Sequence, residues 1–213
     1  MTQILNSDKE FHIISNGKMP MEQLREILTD IHPYVNAIHI REKQKSAREL
    51  FQAVEMLSKD LPLSKIIIND RVDVALVTKA AGVQLAFHSL GAKVVKKALP
   101  NLRVGCSIHS YHEGEKSLQD GADYVLFGHV FSSQSKPGKT PKGLEELSRI
   151  TQLDIPVIAI GGITPGNTPQ VLHAGANGIA VMSGVLDSHD PLITVHAYVN
   201  ALKDGVGKSE KFI

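Results

Sequence analysis

Residues 156–184 read PVIAIGGITPGNTPQVLHAGANGIAVMSG. Two short apolar runs, 156–161 and 178–183, flank a helical stretch at 168–173. The runs are almost continuously apolar, as in strands of a parallel sheet covered on both faces. Six further runs of this kind precede them, at 11–15, 37–41, 65–69, 82–86, 103–107 and 124–131. Amphipathic stretches follow the strands. MEQLREILTDI places Met21, Leu24, Ile27 and Leu28 on one stripe, and SARELFQAVEMLSKD opens with Ser46 as N-cap and Glu49 three residues on. Similar helical patterns cover 72–80, 92–99, 113–119, 143–151 and 192–202.

Eight strand–helix units in 213 residues exceed the five or six strands usual for an open doubly wound sheet. They predict a closed (β/α)8 TIM barrel, α/β in class and a single domain spanning 1–213. A short N-terminal arm and a polar tail fraying from about residue 204 complete the expectation.

Composition narrows the partners. Lys+Arg number 23 and Asp+Glu 22, a formal net charge of +1, without the basic excess of a nucleic-acid binder. The lone cysteine, Cys106, excludes an internal disulfide framework and fits a reducing compartment. Neither a membrane-length apolar run nor a signal-peptide pattern is present, so a cytoplasmic protein is expected. No paired-cysteine or HExxH metal motif occurs.

In such a barrel the chemistry sits at the C-terminal ends of the strands. Gly161 and Gly162 end strand seven, and Ser183 and Gly184 end strand eight. Glycines let main-chain N–H groups approach an anion, and this fold commonly holds phosphate there. Tight exit turns alone also explain such glycines. In IHIREK, alternation puts His39, Arg41 and Lys43 on one side and Ile38, Ile40 and Glu42 on the other. The basic set therefore points to the barrel mouth and suits a carboxylate or phosphate, a surface ion pair being the plainer reading. His129 sits alone in YVLFGHVF, as a core histidine or as an acid–base group. Asp70 is assigned to helix capping, Ser107 and His109 share a face of strand five, and His12 is read as incidental.

IHIREK, IINDRVDVAL, DYVLFGHVF, PVIAIGGITPGN and AGANGIAVMSG, in this order, resemble the thiamin phosphate synthase superfamily from about residue 11 to 202. Within it the chain resembles the TenI-like thiazole tautomerases. The synthases' strand-two motif begins with Gln where His39 stands. Their Mg2+ is held by an Asp matching Asp70 and by a second Asp after strand four, absent from Gln84–Ser89. Their strand-six Pro is replaced by His129. The resemblance implies an isomerase that converts an exocyclic-alkene carboxythiazole phosphate into its aromatic tautomer by proton transfer, with His129 as the acid–base catalyst.

On this reading Gly161, Gly162, Met182, Ser183 and Gly184 fix the phosphate. His39, Arg41 and Lys43 meet the substrate, with Arg41 or Lys43 on its carboxylate, and Asn69 and Ser107 orient the ring. Lys136 lies in a loop, 133–136, similar to the synthases' anion hook. No metal or organic cofactor is expected, the partner is the thiazole phosphate, and a homodimer is compatible. The alternatives are thiamin phosphate synthase itself, joining a pyrimidine pyrophosphate to thiazole phosphate with Mg2+, and a non-catalytic TenI-like regulator.

Overall fold

The eight predicted strands are present, and they close. The computed structural model describes residues 9–133 and 137–206. Its strands are β1 (Glu10–Ile14), β2 (Ala37–Ile40), β3 (Ile66–Asn69), β4 (Gly82–Leu85), β5 (Arg103–Ile108), β6 (Tyr124–Gly128), β7 (Val157–Ile160) and β8 (Gly178–Val181). All neighbours pair in parallel, and β8 returns to β1 with Phe11 opposite Ile179. Every strand edge is thereby paired. The fold is a single-domain (β/α)8 barrel.

The helices are α1 (Met21–Ile31), α2 (Ala47–Leu57), α3 (Val72–Thr78), α4 (Ala92–Ala98), α5 (Tyr111–Gln119), α6 (Gly143–Ile150), α7 (Thr168–His173), α8 (Ser183–Leu186) and α9 (Pro191–Val206). In α1 the stripe Leu24, Leu28 and Ile31 is buried against the outer face of the barrel. In α2 the predicted capping box is complete: the Ser46 hydroxyl accepts from Glu49 N–H, and the Glu49 carboxylate accepts from Ser46 N–H at 2.8 Å. That pairing satisfies two of the otherwise orphaned first-turn donors.

Inside the barrel the packing splits into two kinds. Ile14, Tyr124, Leu126, Ile158 and Ala180 form an apolar plug. Beside it lie three fully buried polar side chains, His12, His39 and Gln84. Gly105 makes room for this layer: a Cβ there would run into the Tyr124 ring and the Gln84 amide oxygen.

Four expectations are corrected. Strand six ends at Gly128 rather than at 131, although Val130 N–H and Phe131 N–H still donate to Ile160 and Gly161 at 2.9 Å. A four-residue helix, α8, follows β8 directly. The last helix runs on through Val206, past the expected fraying point; the N-terminal arm and residues 207–213 lie outside the described residues. His12 is wholly buried in the barrel axis, because strand alternation turns it inward between Phe11 and Ile13, whose side chains pack in the outer core.

Candidate functional site

At the C-terminal end of the barrel the loops surround a cavity of about 920 Å3. Its charged lining is one-sided. Lys18, Arg41, Lys43 and Lys139 face it, together with the imidazoles of His39, His88, His109 and His129, and no Asp or Glu lines it among the described residues. Cations collected in a concave, partly desolvated mouth favour an anionic ligand.

Arg41 carries the strongest such signal. Its guanidinium is half-buried and has no carboxylate partner within ion-pair distance among the described residues. Burial lowers its pKa, with Glu42 opposing; arginine still remains charged at neutral pH. Such a group is stabilised when an anion arrives.

At the exits of β7 and β8, Gly162, Ile163, Ser183 and Gly184 donate their main-chain N–H groups to no acceptor among the described residues. They belong to adjacent strand exits, since β7 pairs with β8. Gly161 and Gly162 have φ of +101° and +66°, the region that glycine occupies without steric penalty. A Cβ on Gly162 would collide with the Ser132 carbonyl, and one on Gly184 with the Tyr198 hydroxyl. Tyr198 donates to the Ile163 carbonyl at 2.8 Å, tying the β7 exit to α9. Unpaired main-chain donors gathered at adjacent strand exits are of the kind that can receive an anion.

The predicted site residues gather here. Gly161, Gly162, Met182, Ser183, Gly184, His39, Arg41, Lys43, Asn69, Ser107 and His129 all line the cavity; Lys136 lies outside the described residues. Lys18, Gln84 and Lys139 line it too and were missed. Lys18 follows β1, and its position just past a strand end was the available signal. Gln84 alternates inward on β4 and donates to the Ser107 hydroxyl at 3.1 Å.

The His129 imidazole lines the cavity but is 5% exposed. Its Nε2 lies 3.2 Å from the Lys139 carbonyl, to which it donates, while Nδ1 is buried without a partner. The group is thus engaged in fastening the β6–α6 loop.

The resemblance also implied a magnesium site in the synthases. Asp70 is the one matching carboxylate, and it is not a helix cap: the N-cap of α3 is Arg71, without a side-chain cap bond. Asp70 Oδ1 instead accepts from the Ser89 hydroxyl at 2.5 Å, and Oδ2 lies 3.8 Å from His88 Nε2. Asp70 does not line the cavity, and no cluster of three or more metal-binding side chains occurs among the described residues. The donors present do not fit a cation caged by protein carboxylates.

These features define a (β/α)8 barrel with a cation-lined mouth. The chain belongs to the thiamine monophosphate synthase (TMP-TENI) family, whose model matches residues 11–185. It is 39% identical over 164 residues to the thiamine-phosphate synthase of Roseiflexus castenholzii, covering 73% of this chain and 71% of that one. It is 34% identical over 192 residues to that of Pyrococcus furiosus, covering 87% and 91%. The solved thiamine phosphate pyrophosphorylase of Pyrococcus furiosus superposes with a TM-score of 0.81 at 32% identity, over 94% of this chain and 98% of that one.

These relatives correct the functional expectation. They are named thiamine-phosphate synthases and not tautomerases. The thiazole tautomerase reading is set aside, and with it the role of His129 as its acid–base catalyst.

Proposed function

We propose that the chain is a thiamine-phosphate synthase: it joins a pyrimidine pyrophosphate to a thiazole phosphate and releases pyrophosphate. The observation that carries this reading is the acid-free cavity, with Arg41, Lys43, Lys18 and Lys139 at its mouth and the free N–H groups of Gly162, Ile163, Ser183 and Gly184 on one wall. Two anionic groups must be accommodated at once, a phosphate and a diphosphate, and the cavity offers two kinds of anion contact.

Those main-chain donors form a cradle that takes the compact phosphate of the thiazole, since convergent N–H groups suit a tetrahedral anion. The cationic side takes the diphosphate. In the reaction the thiazole ring nitrogen forms a bond to the pyrimidine's exocyclic carbon, and the carbon–oxygen bond to the diphosphate breaks. The electron pair of that bond goes to the leaving oxygen. Arg41 and the neighbouring lysines are placed to stabilise the charge that develops there, which is worth several kcal/mol in a water-poor site, about 3–4 kcal/mol for a single well-placed donor. Holding both substrates in one cavity supplies the orientation term. Asn69 and Ser107, on β3 and β5, line the same cavity and offer polar side chains to the ring portions of the substrates.

The test is direct. The purified protein is incubated with pyrimidine pyrophosphate and thiazole phosphate in buffer containing Mg2+. Thiamine phosphate and inorganic pyrophosphate should appear in equal amounts. A protein that binds both substrates and forms neither product overturns the reading.

A further inference from the structure

The barrel axis holds a chain of hydrogen bonds that the proposed reaction does not use. It starts at the N-terminal end of the barrel, where Arg103 Nη2 lies 2.8 Å from each carboxylate oxygen of Glu10. Glu10 Oε2 is 2.6 Å from His12 Nε2, and His12 Nδ1 is 3.0 Å from His39 Nε2. His39 lines the cavity at the far end, is 1% exposed, and has no partner on Nδ1.

The direction of this chain follows from donor counting. A carboxylate held by a guanidinium only accepts, so His12 carries its proton on Nε2. A neutral imidazole has one donor and one acceptor, so His12 Nδ1 is bare and accepts from His39. His39 therefore carries its proton on Nε2, and its own Nδ1 is bare.

We infer that Glu10 and His12 are positioning residues: through this chain they hold His39 as the tautomer whose unprotonated Nδ1 accepts a hydrogen bond from an N–H or O–H group of the bound ligand. Burial disfavours the charged form of both imidazoles and lowers both pKa values; Glu10 opposes this at His12, and Arg103 adds to it at both. The groups around His39 are His12 and Glu10 from β1, Arg103 from β5 and Tyr124 from β6, whose ring meets the imidazole edge-on at 6.5 Å. Gln84 Oε1, on β4, is a second buried acceptor without a partner. Unpartnered acceptors thus lie buried beneath the cavity floor where its mouth offers cations, a pairing that selects a ligand anionic at one end and carrying a donor at the other.

Long-range 1H–15N correlation spectra of histidine-labelled protein at pH 7 test this. In the wild type, His39 should show a protonated Nε2 and a bare Nδ1. In H12F the acceptor for His39 Nε2–H is gone, and the fixed tautomer should be lost; E10A should release it as well. H12N places a carboxamide oxygen near the former Nδ1 and should restore it. A protonated Nδ1 on His39 in the wild type, or the same tautomer in H12F as in the wild type, overturns the inference, the first without any variant.

The kinetic arm alone rests on the proposed synthase reaction. H12F should raise KM for one of the two substrates about tenfold with kcat within twofold, as loss of one ligand hydrogen bond predicts, and H12N should return KM towards the wild-type value. A fall in kcat with KM unchanged overturns the ligand contact. If the wild type forms no thiamine phosphate, the synthase reading fails while the spectra still decide the chain.

Discussion

At the scale of single residues, the cavity divides into side chains that meet charge and glycines that make room. Arg41 is half-buried and has no carboxylate partner within ion-pair distance among the described residues, so its contribution should appear on ligand binding. Calorimetric titration with inorganic pyrophosphate should show R41A binding roughly 10–100-fold more weakly, by the loss of a charge-assisted, two-pronged contact. R41K should recover only part of this, since an ammonium cannot hold two oxygens in one plane. Equal affinity of R41A and wild type would remove Arg41 from the anion site. Gly162 acts differently. Its φ of +66° and the Ser132 carbonyl beside its missing Cβ make G162A strained in two ways. About 1–2 kcal/mol of stability should be lost through the left-handed backbone alone, with inorganic phosphate binding weakened through the displaced N–H. Phosphate binding at wild-type strength in a folded G162A protein would show that the cradle lies elsewhere.

At the scale of elements, what the sequence discloses depends on how local the determining physics is. The Ser46–Glu49 capping box is entirely local, three residues apart, and forms as read. Ser46→Ala removes the side-chain acceptor for Glu49 N–H. It should cost about 1 kcal/mol, or a fall of roughly 2–4 °C in Tm for a chain of this length, measured by thermal denaturation. A drop of nothing within error would mean that the helix start is held by packing alone. The basic face of IHIREK was legible in part for the same reason: period-two alternation within β2 buries Ile38 and Ile40 and turns His39 inward, whereas Arg41 and Lys43 follow the end of the strand and reach the cavity from its loop. Asp70 was misread because its partner, Ser89, comes from the next strand–helix unit, 19 residues on. The overextended sixth strand has a similar origin. Apolar character persists to Phe131, and the chain keeps donating to β7, yet the regular strand stops where Gly128 packs onto the Ile160 carbonyl. Helix α8 was hidden by its four-residue length, too short for a 3.6-residue period to show.

At the scale of the whole molecule, the barrel was legible by counting units, because closure is a property of number and parallel pairing. The polar chain inside it was not, because its groups lie on three strands: His12 and His39 meet through the pairing of β1 with β2, and Arg103 of β5 reaches Glu10 of β1 only across the closed barrel. That chain makes the entire fold sensitive to acid. Burial, foremost, lowers the pKa of His12 and His39 below the ordinary value of 6.5. As pH falls below 6.5, the unfolded chain takes up protons at both residues while the native protein does not. Stability therefore falls with falling pH, by up to about 1.4 kcal/mol per pH unit for each histidine, until the native imidazoles also titrate. Glu10 acts in the same direction lower down. Burial raises its pKa, but the hydrogen bond from His12 and the ion pair with Arg103 outweigh that and lower it from 4.5, so its contribution is present above 4.5 and is lost as pH drops through the native value. Urea midpoints measured between pH 7.5 and 5 should decline steadily, and the doubly substituted H12N/H39N protein, which cannot titrate at these positions, should show a shallower decline whatever its absolute stability. Parallel declines in the two proteins would mean that the buried pair is already protonated in the native barrel, and the direction assigned to the hydrogen-bond chain would have to be abandoned.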